Sequence, residues 1–221
     1  MARAITETAK AAKANHILEK AYELYEKGTF KSIKMIDIAN ASGVSKGTMF
    51  NYYSTKEKLF LEMFKREFEK RVDFFSNELK KYDTLDHFQF KKFVLDEMEN
   101  ILIEDSVLIR LTIIIHITLE ENIDYDSALT FKQETYDLFI YLGKLIAERV
   151  DYLTEHEAME IFMAQHAIIV GYRNIANVPD VIKQVINEQE LKGFKIDFKG
   201  DALKAMTYYL DGLYEKKKNQ I

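Results

Sequence analysis

Apolar residues recur at three- and four-residue spacing along nearly the whole chain, which is the pattern of helices that bury one face. The first apolar stripe comprises Ile17, Ala21, Leu24 and Tyr25, and it ends before Gly28, a residue type that favours a helix end. The chain has a single proline and eight glycines, so few residues interrupt a helix. The pattern therefore predicts an all-α protein.

Two short helices are predicted next, over residues 35–41 and 46–52, on either side of a turn at Gly43, which can adopt positive φ. Beyond them the apolar stripes lengthen, as in a helical bundle. The long helices are predicted over residues 55–81, 86–103, 106–120, 127–152, 154–177 and 200–218, with breaks at 83–84, 104–105, 122–126 and 178–180. We expect an N-terminal arm and helix-turn-helix domain over residues 1–56, with the helix-turn-helix at about 33–52, and a helical domain over residues 57–221.

Charge is unevenly distributed between these two parts. The whole chain has a formal net charge of −5. Residues 1–56 contain nine Lys or Arg and five Asp or Glu, a balance of +4, which leaves −9 for residues 57–221. A basic module on an acidic chain favours a polyanionic partner for the N-terminal part.

Composition also narrows the chemistry. The chain has no cysteine, which excludes disulfides, thiolate catalysis and Cys-based zinc sites. No Glu-x-x-His pair occurs, and no metal or cofactor is predicted. The N-terminus lacks the apolar segment of an export signal, and the most apolar stretch, residues 107–119, is shorter than the roughly 20 residues of a membrane span. We expect a cytoplasmic protein without a membrane partner.

Residues 38–60 read IANASGVSKGTMFNYYSTKEKLF. Their Ile-Ala, Gly-Val-Ser, Gly-Thr, aromatic and Lys-Glu elements resemble, in order and spacing, the DNA-binding signature of the TetR family of transcriptional regulators. The resemblance implies a three-helix module that binds double-stranded operator DNA, followed by a bundle that binds a small-molecule effector and forms a homodimer. It also implies a repressor without catalytic activity, in which Tyr52 contacts a phosphate and Tyr53 folds into the core of the module.

Within this segment, Ser45 stands at the N-cap of the second short helix, whose first turn would enter the major groove. Asn51, one turn on, is the expected base reader. Lys34 replaces the Ser or Thr usual before the first short helix, so we expect no side-chain cap paired with Asp37 there and a phosphate contact instead. The candidate DNA-binding residues are Lys34, Ser45, Lys46, Gly47, Thr48, Phe50, Asn51, Tyr52 and Lys56.

Candidate sites in the bundle rest on helical faces. Aromatic residues at helical spacing are commonly core, but in a ligand-binding bundle some line a pocket. The expected effector contacts are His116, Tyr136 and Phe139. The last two long helices carry apolar stripes that suit a four-helix bundle shared by two subunits, and the expected interface residues are Ile161, Ile168, Tyr172, Met206, Leu210 and Leu213.

Other functions remain as alternatives. Residues 43–47 satisfy the G-x-S-x-G pattern of a hydrolase nucleophile, but that chemistry needs a strand leading into the Ser, and here a helix is predicted. A helical-bundle ligand carrier or enzyme with an incidental N-terminal module is the main rival, and a protein adaptor is the second. The bundle lacks paired carboxylates or metal-ligand spacing, which favours the regulator.

Overall fold

The computed structural model describes residues 2–102 and 106–219, with side chains from residue 7 onward. Within this range the chain forms ten α-helices and no strand, which confirms the all-α prediction. The helices are α1 Ala2–Lys27, α2 Met35–Ala41, α3 Lys46–Tyr52, α4 Lys56–Leu79, α5 His87–Ile101, α6 Val107–Ile114, α7 Tyr125–Ala147, α8 Glu155–Ala176, α9 Asp180–Glu188 and α10 Phe198–Lys218. A π-helical turn, Ile115–Leu119, continues α6, and a 3-10 turn, Lys192–Phe194, follows α9.

Side-chain caps set several of the predicted helix starts. The N–H of Gln89 donates to Asp86 Oδ1 at 2.9 Å before α5, and the N–H of Glu157 donates to Thr154 Oγ1 at 3.3 Å before α8. Asp124 accepts from the N–H of Ser127 at 3.0 Å, so α7 begins earlier than predicted. Helix α9 lies in a stretch where no helix was predicted. The predicted helix end at residue 103 and the break at 104–105 lie outside the described residues.

The described residues form two compact units. The first unit comprises Met1–Phe68 and Ile114–Lys132, and the second comprises Glu69–Ile113 and Gln133–Ile221. Helices α4 and α7 each contribute to both units. The boundary at residue 56 expected from the sequence stays a prediction about where the domains divide.

An aromatic cluster forms the centre of the first unit. The buried ring of Phe60 in α4 packs edge-on against Tyr25 of α1 and against Phe30 of the following loop, with centroids 5.0 Å apart in each case. Ile17 and Ala21 extend this buried face along α1. Full burial of such a side chain contributes about 1.5–3 kcal/mol, so the cluster holds α1 and α4 together.

In the second unit, α10 packs against α8 and α5. The buried residues of this unit include Phe90, Val94 and Met98 of α5, Ala158, Ile161 and Ile169 of α8, and Ala202, Met206 and Leu210 of α10. Three residues predicted for a dimer interface therefore belong to the subunit core, namely Ile161, Met206 and Leu210. The prediction was wrong for them because α8 and α10 have apolar residues on more than one side. The other three predicted interface residues, Ile168, Tyr172 and Leu213, are half-buried.

Two classes of site were searched for directly in the described part of the chain. None of its helices is both long and apolar enough to cross a membrane. Its described side chains include no group of three His, Asp or Glu residues that could hold a metal ion.

One charged pair is buried in the second unit, between α4 and α5. The Nη2 of Arg71 donates to the carbonyl oxygen of Glu97 at 2.6 Å and also to the Glu97 carboxylate. Burial raises the pKa of the Glu97 carboxyl and lowers the pKa of the Arg71 guanidinium, although each charge offsets part of the cost of burying the other. Removal of one partner would leave the other charge buried and uncompensated.

We therefore predict that Glu97→Ala lowers the free energy of unfolding by roughly 3 kcal/mol, measured by urea denaturation at neutral pH. Asp96→Ala is the matched control, because Asp96 lies beside Glu97 on the same helix and forms an exposed pair with Lys92. The control should change stability far less, since exposed ion pairs are weak. Equal effects of the two substitutions would contradict a structural role for the buried pair.

Candidate nucleic-acid interface

Helices α2 and α3 form a helix-turn-helix whose turn is fixed by local hydrogen bonds. Gly43 has φ +64°, the left-handed conformation that favours glycine. The Ser42 hydroxyl donates to the carbonyl oxygen of Ile38 at 2.7 Å, and the N–H of Val44 donates to that of Ala39 at 3.0 Å. The turn thus ends α2 and places Ser45 at the start of α3, as predicted.

Ser45 caps α3, which confirms this part of the prediction. Its Oγ accepts from the N–H of Thr48 at 3.1 Å and lies 2.9 Å from the Thr48 hydroxyl. The first amides of a helix have no partner within the helix, and they give its N-terminus a partial positive charge. The start of α3 is therefore suited to a phosphate oxygen.

The sides of α3 differ in burial. Met49 is fully buried and anchors the helix to the module. Thr48 and Tyr52 are half-buried, while the exposed residues of α3 are Lys46, Gly47, Phe50 and Asn51. The Lys46 ammonium lies 6.0 Å from the centroid of the Phe50 ring. This exposed side presents a cation, an aromatic ring and a carboxamide, which are groups that bind phosphates and base edges.

Tyr53, the residue after α3, ties that helix to α1. Its hydroxyl lies 3.4 Å from the carbonyl oxygen of Ala14 and donates to it. Burial raises the pKa of Tyr53 to about 12, so the hydroxyl keeps its proton for this contact. This position agrees with the core role that the resemblance implied.

Lys34 precedes α2 and is exposed. Its side chain makes no cap, as expected, but the Asp37 carboxylate accepts the backbone N–H of Lys34 at 2.9 Å. The expectation that Asp37 would lack its capping interaction is thus corrected, because the reciprocal bond needs only the backbone of residue 34. The Lys34 ammonium is left available for the predicted phosphate contact.

Lys56 occupies the first position of α4 and is only partly exposed. Its ammonium donates to the carbonyl oxygens of Phe30 at 2.6 Å and Ile33 at 3.1 Å, and it lies 3.9 Å from the centroid of the Phe30 ring. Burial lowers the pKa of this ammonium. The phosphate contact expected of Lys56 stays a prediction, but the structure gives the residue a competing role in fixing the loop before α2.

One contact in the first unit had no signal in the sequence. Lys58, in the first turn of α4, forms an ion pair with Asp124, which lies 66 residues later and caps α7. The ion pair holds the pKa of the Asp124 carboxyl well below its usual range. The Phe131 ring of α7 lies 6.1 Å from the Phe64 ring of α4. The turn before α7 is therefore joined directly to the helix that follows the DNA-binding segment.

The predicted effector contacts are placed differently. His116 is exposed, and its Nδ1 lies 3.0 Å from the Glu120 carboxylate, which also accepts from Lys132 at 2.7 Å. Tyr136 is exposed as well. Only Phe139 is half-buried, with its ring 6.0 Å from that of Phe162. The expectation of pocket-lining side chains is corrected for His116 and Tyr136, because these side chains point to the surface of the chain.

A helix-turn-helix with a capped and exposed second helix defines the chain as a DNA-binding protein of the helix-turn-helix class. Residues 17–63 match the profile described as bacterial regulatory proteins of the tetR family, and residues 64–217 match the tetracyclin repressor-like C-terminal domain. The chain therefore belongs to the TetR family and is a DNA-binding transcription regulator. No curated protein matches it.

We predict that Asn51→Ala reduces discrimination at one base position of each half-site by about 1–3 kcal/mol, because the exposed carboxamide can pair with an adenine edge. Non-specific affinity should change little. Competition binding with operator variants would measure this, and Asn77→Ala, an exposed position on α4, is the control. A uniform loss for all sequences would assign Asn51 to a phosphate instead.

Salt dependence separates the two lysines at the ends of this interface. We predict that Lys46→Gln lowers affinity for all sequences and flattens the slope of log affinity against log salt by about one unit, since one phosphate contact is lost. Lys56→Gln should mainly lower the thermal stability of the protein, because its ammonium binds two internal carbonyl groups. A flattened slope without a loss of stability for Lys56→Gln would instead support the phosphate contact.

Proposed function

We propose that the chain is a homodimeric repressor whose affinity for operator DNA is changed by a small-molecule effector. The observation that carries this proposal is the exposed side of α3, whose helix is capped by Ser45 and anchored by Met49. A rigid helix with exposed Lys46 and Asn51 supports direct reading of the major groove. The proposal includes no catalytic step, and action on operator DNA implies a cytoplasmic location.

The homodimer is supported by the exposed side of α8. Four residues at four-residue spacing, Met163, Ala167, Gly171 and Ile175, are exposed there. A Cβ atom added to Gly171 would meet no atom within 4 Å, so this side of α8 leaves room for another helix. A second copy bound along α8 and α10 would form a four-helix bundle and present two α3 helices to a two-fold symmetric operator.

Regulation by an effector is supported by helices α4 and α7, because both contribute to both units. A ligand that favours one packing of these helices in the second unit would change the first unit through the same backbones. The ion pair between Lys58 and Asp124 couples the start of α4 to the start of α7. Phe139 remains the candidate ligand contact, because it is half-buried and lies on α7.

The test begins with selection of bound fragments from genomic DNA, followed by gel-shift measurements on the selected sequence. A sequence-selective shift is expected, whereas a carrier, an enzyme or an adaptor would give none. Ligands found by thermal-shift screening are then titrated against the protein with and without operator. Linkage requires that a ligand which lowers operator affinity by some factor binds the operator complex more weakly by the same factor. Equal ligand affinities in the two titrations would contradict its role as an effector.

We predict that Asp124→Asn brings the ratio of these two ligand affinities closer to one. Asn is a good N-cap, so α7 keeps its cap while the ion pair with Lys58 loses its charge. Asp126→Asn is the matched control, because Asp126 is an exposed acid two residues later. An unchanged ratio in Asp124→Asn would show that the ion pair takes no part in the coupling.

A further inference from the structure

Helix α9 and the 3-10 turn after it leave their apolar side chains uncovered. No residue of α9 is buried. Five large apolar side chains between residues 180 and 194 are between 40% and 68% exposed, namely Val181, Ile182, Val185, Leu191 and Phe194. An exposed group of this size on one short segment is unusual for a surface that contacts only water.

The helix also lacks support from the rest of its own chain. Its main contact is with the 3-10 turn Lys192–Phe194 that directly follows it. Val181, Ile182 and Val185 lie on one side of the helix, and Asn187 lies on the opposite side. Isolated helices of this length are marginal in water, and packing of an apolar side supplies most of their stability. The sequence is therefore suited to a helix that is covered by another surface.

We propose that residues 180–194 form an arm that packs against a second copy of this chain and extends the dimer interface of α8 and α10. The proposal rests on the homodimer proposed above and adds a segment to its interface. In a two-fold dimer the arm of each subunit would cover its partner, so the contact would be made twice.

Charge argues against DNA or a lipid surface as the occupant. Residues 180–194 contain three acids, Asp180, Glu188 and Glu190, and two lysines, Lys183 and Lys192, which gives a net charge of −1. Segments that bind DNA or anionic membranes carry an excess of Lys and Arg. A weakly acidic segment with an apolar side fits a protein partner.

The composition of the α8 and α10 surface indicates which protein. Its large exposed apolar side chains are Met163 and Ile175 of α8 and Tyr208 of α10, and the positions between them include Ala167, Gly171 and Gly212. A stable interface buries about 800 Å² per partner, and roughly 65% of a homodimer interface is apolar. Three large side chains beside small residues fall short of this, and the five of the arm supply further apolar area.

The arm is also close to that surface along the chain. Only residues 177–179 separate α8 from α9, and three residues span at most about 10 Å. Three residues, 195–197, likewise separate the 3-10 turn from α10. A subunit that docks along α8 and α10 thus comes within reach of the arm, which makes a second copy the favoured occupant.

The decisive variant is Val185→Glu, with Asn187→Glu as the matched control on the opposite side of the same helix. Both positions are exposed within the subunit and glutamate is a good helix former, so neither change should disturb the subunit fold. In sedimentation equilibrium, Val185→Glu should raise the dimer dissociation constant at least about tenfold, because a carboxylate would enter an apolar contact. The control should stay close to the parent value. An unchanged dissociation constant for Val185→Glu would overturn the arm.

Gly171→Glu distinguishes failure of the arm from failure of the dimer. Gly171 is exposed on α8 with open space around it, so a larger residue is tolerated by the subunit but not by a closely packed second helix. If Gly171→Glu dissociates the dimer and Val185→Glu does not, the dimer stands and the arm is overturned. If the parent protein is monomeric at concentrations that bind operator, the homodimer proposal and the arm both fail.

A second measurement uses the absence of cysteine from the chain. A polarity-sensitive fluorophore on Val185→Cys should shift its emission to shorter wavelength as the protein concentration rises through the dissociation constant. The same fluorophore on Asn187→Cys should not shift, because that side stays in water. Equal emission from the two positions at every concentration would contradict burial of the arm in the dimer.

Discussion

The packing around Phe60 is the contact on which the position of the recognition helix depends. Its ring meets Tyr25 of α1 and Phe30 of the loop before α2, and the Lys56 ammonium binds the Phe30 carbonyl from the same helix as Phe60. The loop is therefore fixed by apolar and polar contacts from the first two turns of α4. Because α2 begins directly after this loop and α3 follows one tight turn later, the placement of α3 is inherited from this cluster.

Each helix of such a chain divides its circumference between its own core and other partners. In α3 Met49 takes the core, and the remaining sides are open to DNA. In α8 Ile161 and Ile169 are buried, while Met163 and Gly171 remain open to a second copy. The polar contacts lie at the joints between helices, as with Lys58 and Asp124. Function in this fold is therefore distributed over the sides of helices.

Several features were predictable, and others left a signal that was not used. The turn at Gly43 and the cap at Ser45 follow from residue types within a few positions of each other. Glu97 occupies an apolar register of α5, seven residues after the buried Phe90, and that position could have indicated a buried charge. Helix α9 has apolar residues at helical spacing, but Pro179 led to a break without the helix that a proline can begin.

The sequence by itself determined the helices, their caps and the DNA-binding signature, because these depend on residues no more than about four positions apart. Only the tertiary structure decided which apolar side of α8 and α10 forms the core, and so removed Ile161, Met206 and Leu210 from the expected interface. It likewise brought the Lys56 ammonium to carbonyl groups more than twenty residues earlier in the chain. An apolar or charged residue type fixes the need for a partner, but the partner itself is selected by contacts between distant segments.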